Sequence, residues 1–277
     1  MRKYFGLIVL FLGFCSVNAV GAERSPIVIG DKLQFSSKIL GENRSLNIYL
    51  PSSYTKMEDK KYPVIYLLDG SMGEDFIHIA GLVQFGSFPW INMLSESILV
   101  GIANVDRKRD FTFPSKVARD RKEFPSSGGS EKFIEALEKE IRPLIESEYR
   151  VNGESTLIGQ SLGGLLATEI LFKRAGLFNH YIIISPSLWW SGESLLTDLP
   201  EDCCDAKSVY IGVGKEGEVM ERLANRLFSK LNTEKNKGEV HFGYFEELGH
   251  GDTLHLAVYD AFDRIFSAGR VENKSEN

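Results

Sequence analysis

Two stretches near the start of the chain, KLQFSSKIL and SLNIYL within residues 31–50, alternate polar and apolar side chains. A period of two predicts strands with one buried face, and their closeness predicts an antiparallel hairpin. The pattern then changes. YPVIYLLDG (62–70), SILVGIANV (from Ser97), STLIG (155–159), HYIIIS (180–185) and SVYIGVG (208–214) are short, nearly continuous apolar runs. Such runs suit strands buried on both faces. VHFGYFEEL (240–248) reads as a last strand.

Between these runs the apolar spacing lengthens to that of helices. Phe133, Leu137, Ile141, Leu144 and Ile145 share a helical face, with Pro143 set to kink or shorten it. LLATEILFKRAG follows STLIG directly, Glu216 to Leu231 reads as helix, and the segment after Asp252 carries Leu254, Ala257, Ala261, Phe262 and Ile265 on one side. Strand alternating with helix predicts an α/β fold: a mainly parallel central sheet with helices on both faces and an N-terminal antiparallel hairpin. Sites in such sheets form beyond the carboxyl ends of the strands.

The first 22 residues stand apart. Arg2 and Lys3 precede an apolar run from Tyr4 to Cys15, and small residues, Ala19 and Ala22 among them, follow. This is the plan of a cleaved secretory signal, too short to favour a membrane span. Bulky Phe14 before Cys15 argues against lipoprotein processing. The expectation is a signal at 1–22, one domain over 23–277, and a periplasmic or secreted protein without a membrane span.

Composition narrows the picture further. Hydrophobic residues make up 43% of the 277, enough for a substantial core, and the net charge of −6 disfavours nucleic acid as partner. Beyond Cys15 only Cys203 and Cys204 remain, in the polar stretch LPEDCCDAKS. They read as peripheral, either joined or free. No metal-ligand spacing is present, so no metal or organic cofactor is expected. The oligomeric state is not legible.

Gly159-Gln160-Ser161-Leu162-Gly163 matches G-x-S-x-G and lies between a buried strand and a helix. That context predicts a nucleophile elbow at Ser161, whose small neighbours let strand and helix approach. A serine hydroxyl needs a base. Of the five histidines, His180 and His241 fall at or within strands, His78 precedes the serine, and His255 lies inside the last helix. His250 sits on a glycine-flanked loop after the last strand and is the expected base. Glu216, just past SVYIGVG, is the expected acid, with Glu218 in competition.

An oxyanion hole needs backbone N–H donors. Leu162 is expected to supply one, and the turn at Gly70 or Ser71 the other. Arg107 and Arg109 follow one strand end, Trp189 and Trp190 another, and all four are candidates for substrate binding. The apolar stretch Phe76 to Leu94 is a candidate pocket cap.

The series YPVIYLLDG, NVDRKRDFTFPS, GQSLGGLLA, SPSLWW and GHGDTLHLAVYDAF resembles, in order, the putative-esterase family of α/β hydrolases, over about residues 30–267. It looks most like the branch with periplasmic siderophore esterases. The resemblance implies the α/β-hydrolase fold, Ser161 as nucleophile and His250 as histidine; Glu216 falls where relatives place an acid at variable spacing. Three functions compete: a serine carboxylic-ester hydrolase working through an acyl-enzyme on a siderophore lactone or a simple acyl or aryl ester, an acyltransferase on the same fold, and a binding protein that has lost catalysis.

Overall fold

The computed structural model describes residues 23–197, 205–233 and 238–267. The expected signal at 1–22 and the Cys203–Cys204 pair lie outside the described residues. Eight strands form one sheet in the order β1-β2-β4-β3-β5-β6-β7-β8. They are β1 (Gly30–Ser37), β2 (Glu42–Tyr49), β3 (Tyr62–Leu67), β4 (Ile98–Ile102), β5 (Val151–Gln160), β6 (His180–Ile184), β7 (Ser208–Gly214) and β8 (Glu239–Phe245). β1 pairs antiparallel with β2, and β2 antiparallel with β4. All the remaining pairs are parallel.

The helices divide between the two faces. α1 (Phe76–Gly86) and α9 (Thr253–Phe266) cover one, with Ile79, Val83, Ala257 and Phe262 packed against Ile65, Ile158, Ile182 and Tyr210. The other face carries α4 (Ser130–Ala136), α5 (Arg142–Glu148), α6 (Leu162–Lys173), α7 (Trp190–Thr197) and α8 (Glu218–Leu231). Two short helices, α2 (Arg107–Asp110) and α3 (Ala118–Glu123), lie in the long β4–α4 connection. The central strands are buried on both faces, which explains their unbroken apolar runs. In β8 only Gly243 is buried, as befits an edge strand.

Pro143 acts through a wider turn. Residues Leu137–Ile141 form a π-helical turn between α4 and α5. Pro143 has no N–H for the carbonyl four residues back, and a wide turn absorbs the mismatch. Glu140 in this turn accepts the Lys38 and Ile39 amides at 2.8 and 3.2 Å and the Ser37 hydroxyl, so it ties down the β1–β2 turn.

Register sets the site. Gln160 pairs with Ile184, Ile184 with Gly212, and Gly214 with Phe245. Residues following β5, β6, β7 and β8 therefore emerge along one edge of the sheet. The expected cap does not form: α1 lies on the sheet face against α9, because Phe76, Ile79, Ala80 and Val83 are spent on that second core layer.

Candidate active site

Ser161 follows β5 and opens α6 with φ 57° and ψ −118°. A positive φ is uncommon outside glycine, costs energy, and persists only where its surroundings enforce it. Here they do. The Ser161 amide donates to Ile184 O at 3.0 Å, and the Ser161 carbonyl accepts from Leu165 at 2.9 Å and Ser187 at 3.0 Å. A Cβ on Gly159 would lie 2.4 Å from the Gly163 carbonyl oxygen, so strand and helix can close this tightly only with glycine there.

His250 lies on the turn between β8 and α9. Its loop is held from three sides. The Gln160 side-chain amide donates to the His250 carbonyl at 2.7 Å, Lys215 N–H donates to Leu248 O at 2.7 Å, and Thr253 Oγ1 donates to Gly249 O at 2.6 Å. Glu216 stands in the loop before α8. Gly217, with φ 90°, delays the helix until Glu218, which leaves Glu216 outside it and Glu218 exposed in its first turn.

The two candidate acids thereby separate. Glu216 Oε2 is 2.5 Å from His250 Nδ1, while its Oε1 accepts the Gly214 amide at 2.9 Å and the Ser185 hydroxyl. Burial alone would raise the Glu216 pKa. The hydrogen bonds from His250, Ser185 and Gly214 outweigh it and hold the carboxyl below its ordinary value. The Glu216 side chain is 1% exposed and the imidazole 47%, so a buried anion orients a ring that meets solvent.

Ser161, Ser187, Trp189, Glu216, Met220 and His250 line one open cleft of about 300 Å³. The Ser161 hydroxyl pairs with Ser187 Oγ at 3.3 Å, both groups facing the same space as the imidazole.

The other expected site residues divide. Leu162 opens α6, where its amide has no intrahelical acceptor. The Gly70 amide is not available, because it donates to Ile102 O at 3.0 Å as a continuation of the sheet. The Ser71 amide donates to Glu74 Oε2 at 3.1 Å, an exposed contact that a side-chain rotation would release.

Arg107 grips Asp69 with two hydrogen bonds, 2.6 and 2.8 Å, and reaches the Gln160 carbonyl at 3.3 Å. It braces the turn after β3 against the elbow and does not line the cleft. Arg109 does not line the cleft either. Its guanidinium is occupied by Glu42 at 2.6 and 3.0 Å and by Asp110 at 2.8 Å, beside the fully buried Arg44–Asp110 pair. Trp190 is completely buried, with Nε1 donating to Phe113 O at 2.8 Å, whereas its half-buried neighbour Trp189 reaches the cleft. Of the two tryptophans, Trp189 lines the cleft and Trp190 belongs to the core.

Ser185, Ser187, Gln160 and Met220 were not anticipated. The two serines stand just past the carboxyl end of β6, the edge where site residues gather, and that position was their available signal.

The model of the family described as "Putative esterase" matches residues 37–247. The chain belongs to this family. Among solved structures, an IroE-like serine hydrolase from Shewanella oneidensis superposes with a TM-score of 0.75 at 29% identity, covering 86% of this chain and 80% of that one. The BES protein from Bacillus cereus gives 0.73 at 27% identity, covering 90% and 99%. The fold is thus that of the α/β hydrolases. The ferri-bacillibactin esterase BesA of Bacillus subtilis is 32% identical over 168 residues, 56% of this chain. The chain spans only 58% of that relative's length.

No helix among the described residues is long and apolar enough to cross a membrane. The described residues contain no group of three or more His, Cys, Asp or Glu side chains placed to hold a metal.

Proposed function

We propose that the protein is a carboxylic-ester hydrolase in which Ser161 is the nucleophile, His250 the general base and Glu216 the acid. One observation carries this reading: the Glu216–His250 pair, 2.5 Å apart, opens onto the same cleft as a serine held at positive φ on a strand–helix elbow.

The chemistry follows from the placement. Glu216 accepts Nδ1–H of His250, which leaves Nε2 as the acceptor. Rotation of the Ser161 side chain from Ser187 to the imidazole lets Nε2 take the hydroxyl proton as Oγ attacks the ester carbonyl. The resulting oxyanion is met by the Leu162 amide, and by Ser71 once Glu74 swings aside. His250 then returns the proton to the departing alcohol, leaving Ser161 acylated. Water, deprotonated by the same imidazole, releases the acid.

The substrate class we assign is a siderophore ester. The Bacillus subtilis relative is named a ferri-bacillibactin esterase, and the aromatic and thioether walls of the cleft, Trp189 and Met220, suit an aryl-bearing acyl chain. We further assign residues 1–22 as an export signal ahead of a single domain. The test is a panel of catecholate lactones and simple acyl esters, with and without an added alcohol acceptor. Free acid and alcohol as products support hydrolysis. Transfer of the acyl group to the added alcohol in preference to water would make the protein an acyltransferase, and failure to cleave any ester would favour a binding role.

A further inference from the structure

The Ser185-Pro186-Ser187 turn touches both ends of the relay. Ser187 Oγ meets the nucleophile at 3.3 Å, and the Ser185 hydroxyl donates to Glu216 Oε1. Ser185 is fully buried and sits at φ 45°, a region where glycine is at ease and serine is strained. Its amide extends the sheet, donating to Gly212 O at 2.7 Å. The turn is wedged against α6: a Cβ on Gly164 would lie 2.9 Å from Ile184 O and 3.0 Å from Pro186 Cα. Backbone and packing alone would accept glycine at 185. What serine adds there is a hydroxyl, and its acceptor is the acid's carboxylate.

We propose that Ser185 is a positioning residue for the reaction, a fourth member of the relay. Glu216 has two oxygens and one task. With Oε1 held by the Ser185 hydroxyl and the Gly214 amide, the carboxylate cannot rotate, and Oε2 stays on His250 Nδ1. Without the hydroxyl, Oε1 keeps only the Gly214 amide and the distant Thr253 Oγ1 at 3.5 Å, and the imidazole loses its orientation for part of the time. The effect falls on the chemical step and not on binding, because Ser185 does not line the cleft.

This inference rests on the Ser161–His250–Glu216 reading, and one experiment separates the two. Wild-type, Ser185→Gly and Ser185→Thr proteins are compared for kcat and KM on one ester, for the rate of labelling by a fluorophosphonate, and for Tm. Glycine fits the positive φ, so the glycine variant folds. The expected result is a fall of about tenfold in kcat and in labelling rate for Ser185→Gly, the scale of one hydrogen bond to a charged group. KM should stay unchanged, and Ser185→Thr should recover activity wherever it folds to wild-type Tm. Labelling and kcat of Ser185→Gly equal to wild type would overturn the positioning role and leave the triad intact. A wild-type protein that does not label at all would overturn the triad reading itself.

Discussion

Replacing Glu216 with glutamine probes the relay at its most constrained point. The side chain is 1% exposed, and Oε1 receives the Gly214 amide at 2.9 Å and the Ser185 hydroxyl, with Thr253 Oγ1 at 3.5 Å. Glutamine has the same shape but only one oxygen. Its NH₂ cannot face the Gly214 N–H donor, so the oxygen must stay there and the NH₂ must turn to His250 Nδ1. A donor at that place forces Nδ1 to accept, which moves the imidazole proton to Nε2 and points an N–H at the nucleophile. The base then starts in the wrong tautomer. Such a loss is about 10³ to 10⁴ in kcat, roughly 4 to 5.5 kcal/mol. The assay is steady-state cleavage of a chromogenic ester, with Tm measured alongside to show that the variant is folded. Glu218→Gln is the control, since Glu218 is exposed and on the helix. Glu216→Gln retaining activity within tenfold of wild type would refute the tautomer argument, and a larger loss in Glu218→Gln would move the acid.

Four further outcomes are expected. Trp189→Ala should weaken cleavage of aryl esters, seen mainly in KM, and should lower Tm less than Trp190→Ala, because its ring is only half-buried against Phe124 and Trp190. Trp190→Ala should destabilise by about 3–5 kcal/mol in denaturant titration, as a fully buried indole does. Arg109→Ala should lower stability by on the order of 1 kcal/mol while leaving KM unchanged, because its partners are Glu42 and Asp110. Hydrogen bonding to Arg109 is the largest influence on Glu42 and holds its pKa below the ordinary 4.5. A carboxylate depressed on folding stabilises at pH above its unfolded value and loses that contribution as pH falls through the folded one. Tm measured from pH 7 downward should therefore drop below about pH 4.5, and drop less in Glu42→Gln.

Much of this molecule could be read from its residues, for reasons that also explain the misses. Strands buried on both faces leave long apolar runs, so β3 to β7 announced themselves, and the amphipathic α8 and α9 did the same through their spacing. The elbow was legible because strand, glycine and helix are all local in sequence. Glu216 and Glu218 were not separable, because the choice turns on Gly217 at φ 90° holding the helix back by two residues. Arg109 and Trp190 were read toward the substrate because proximity to a strand end says nothing of which way a side chain points. Arg109 is turned away by Glu42, 67 residues distant, and Trp190 by a core it completes. The Gly70 amide was lost to Ile102, a pairing set by the neighbouring strand. Ser185 and Ser187 went unnoticed because a serine after a strand has no signature until its acceptor is in view.

Mass spectrometry of the protein after reaction with a fluorophosphonate addresses the central claim most directly. The account predicts a single stoichiometric adduct on the peptide carrying Ser161, absent from Ser161→Ala, whose ester cleavage should fall by about 10⁴ to 10⁶ while its Tm is kept. An adduct on another residue, or a Ser161→Ala protein that still cleaves esters at the wild-type rate, would contradict it.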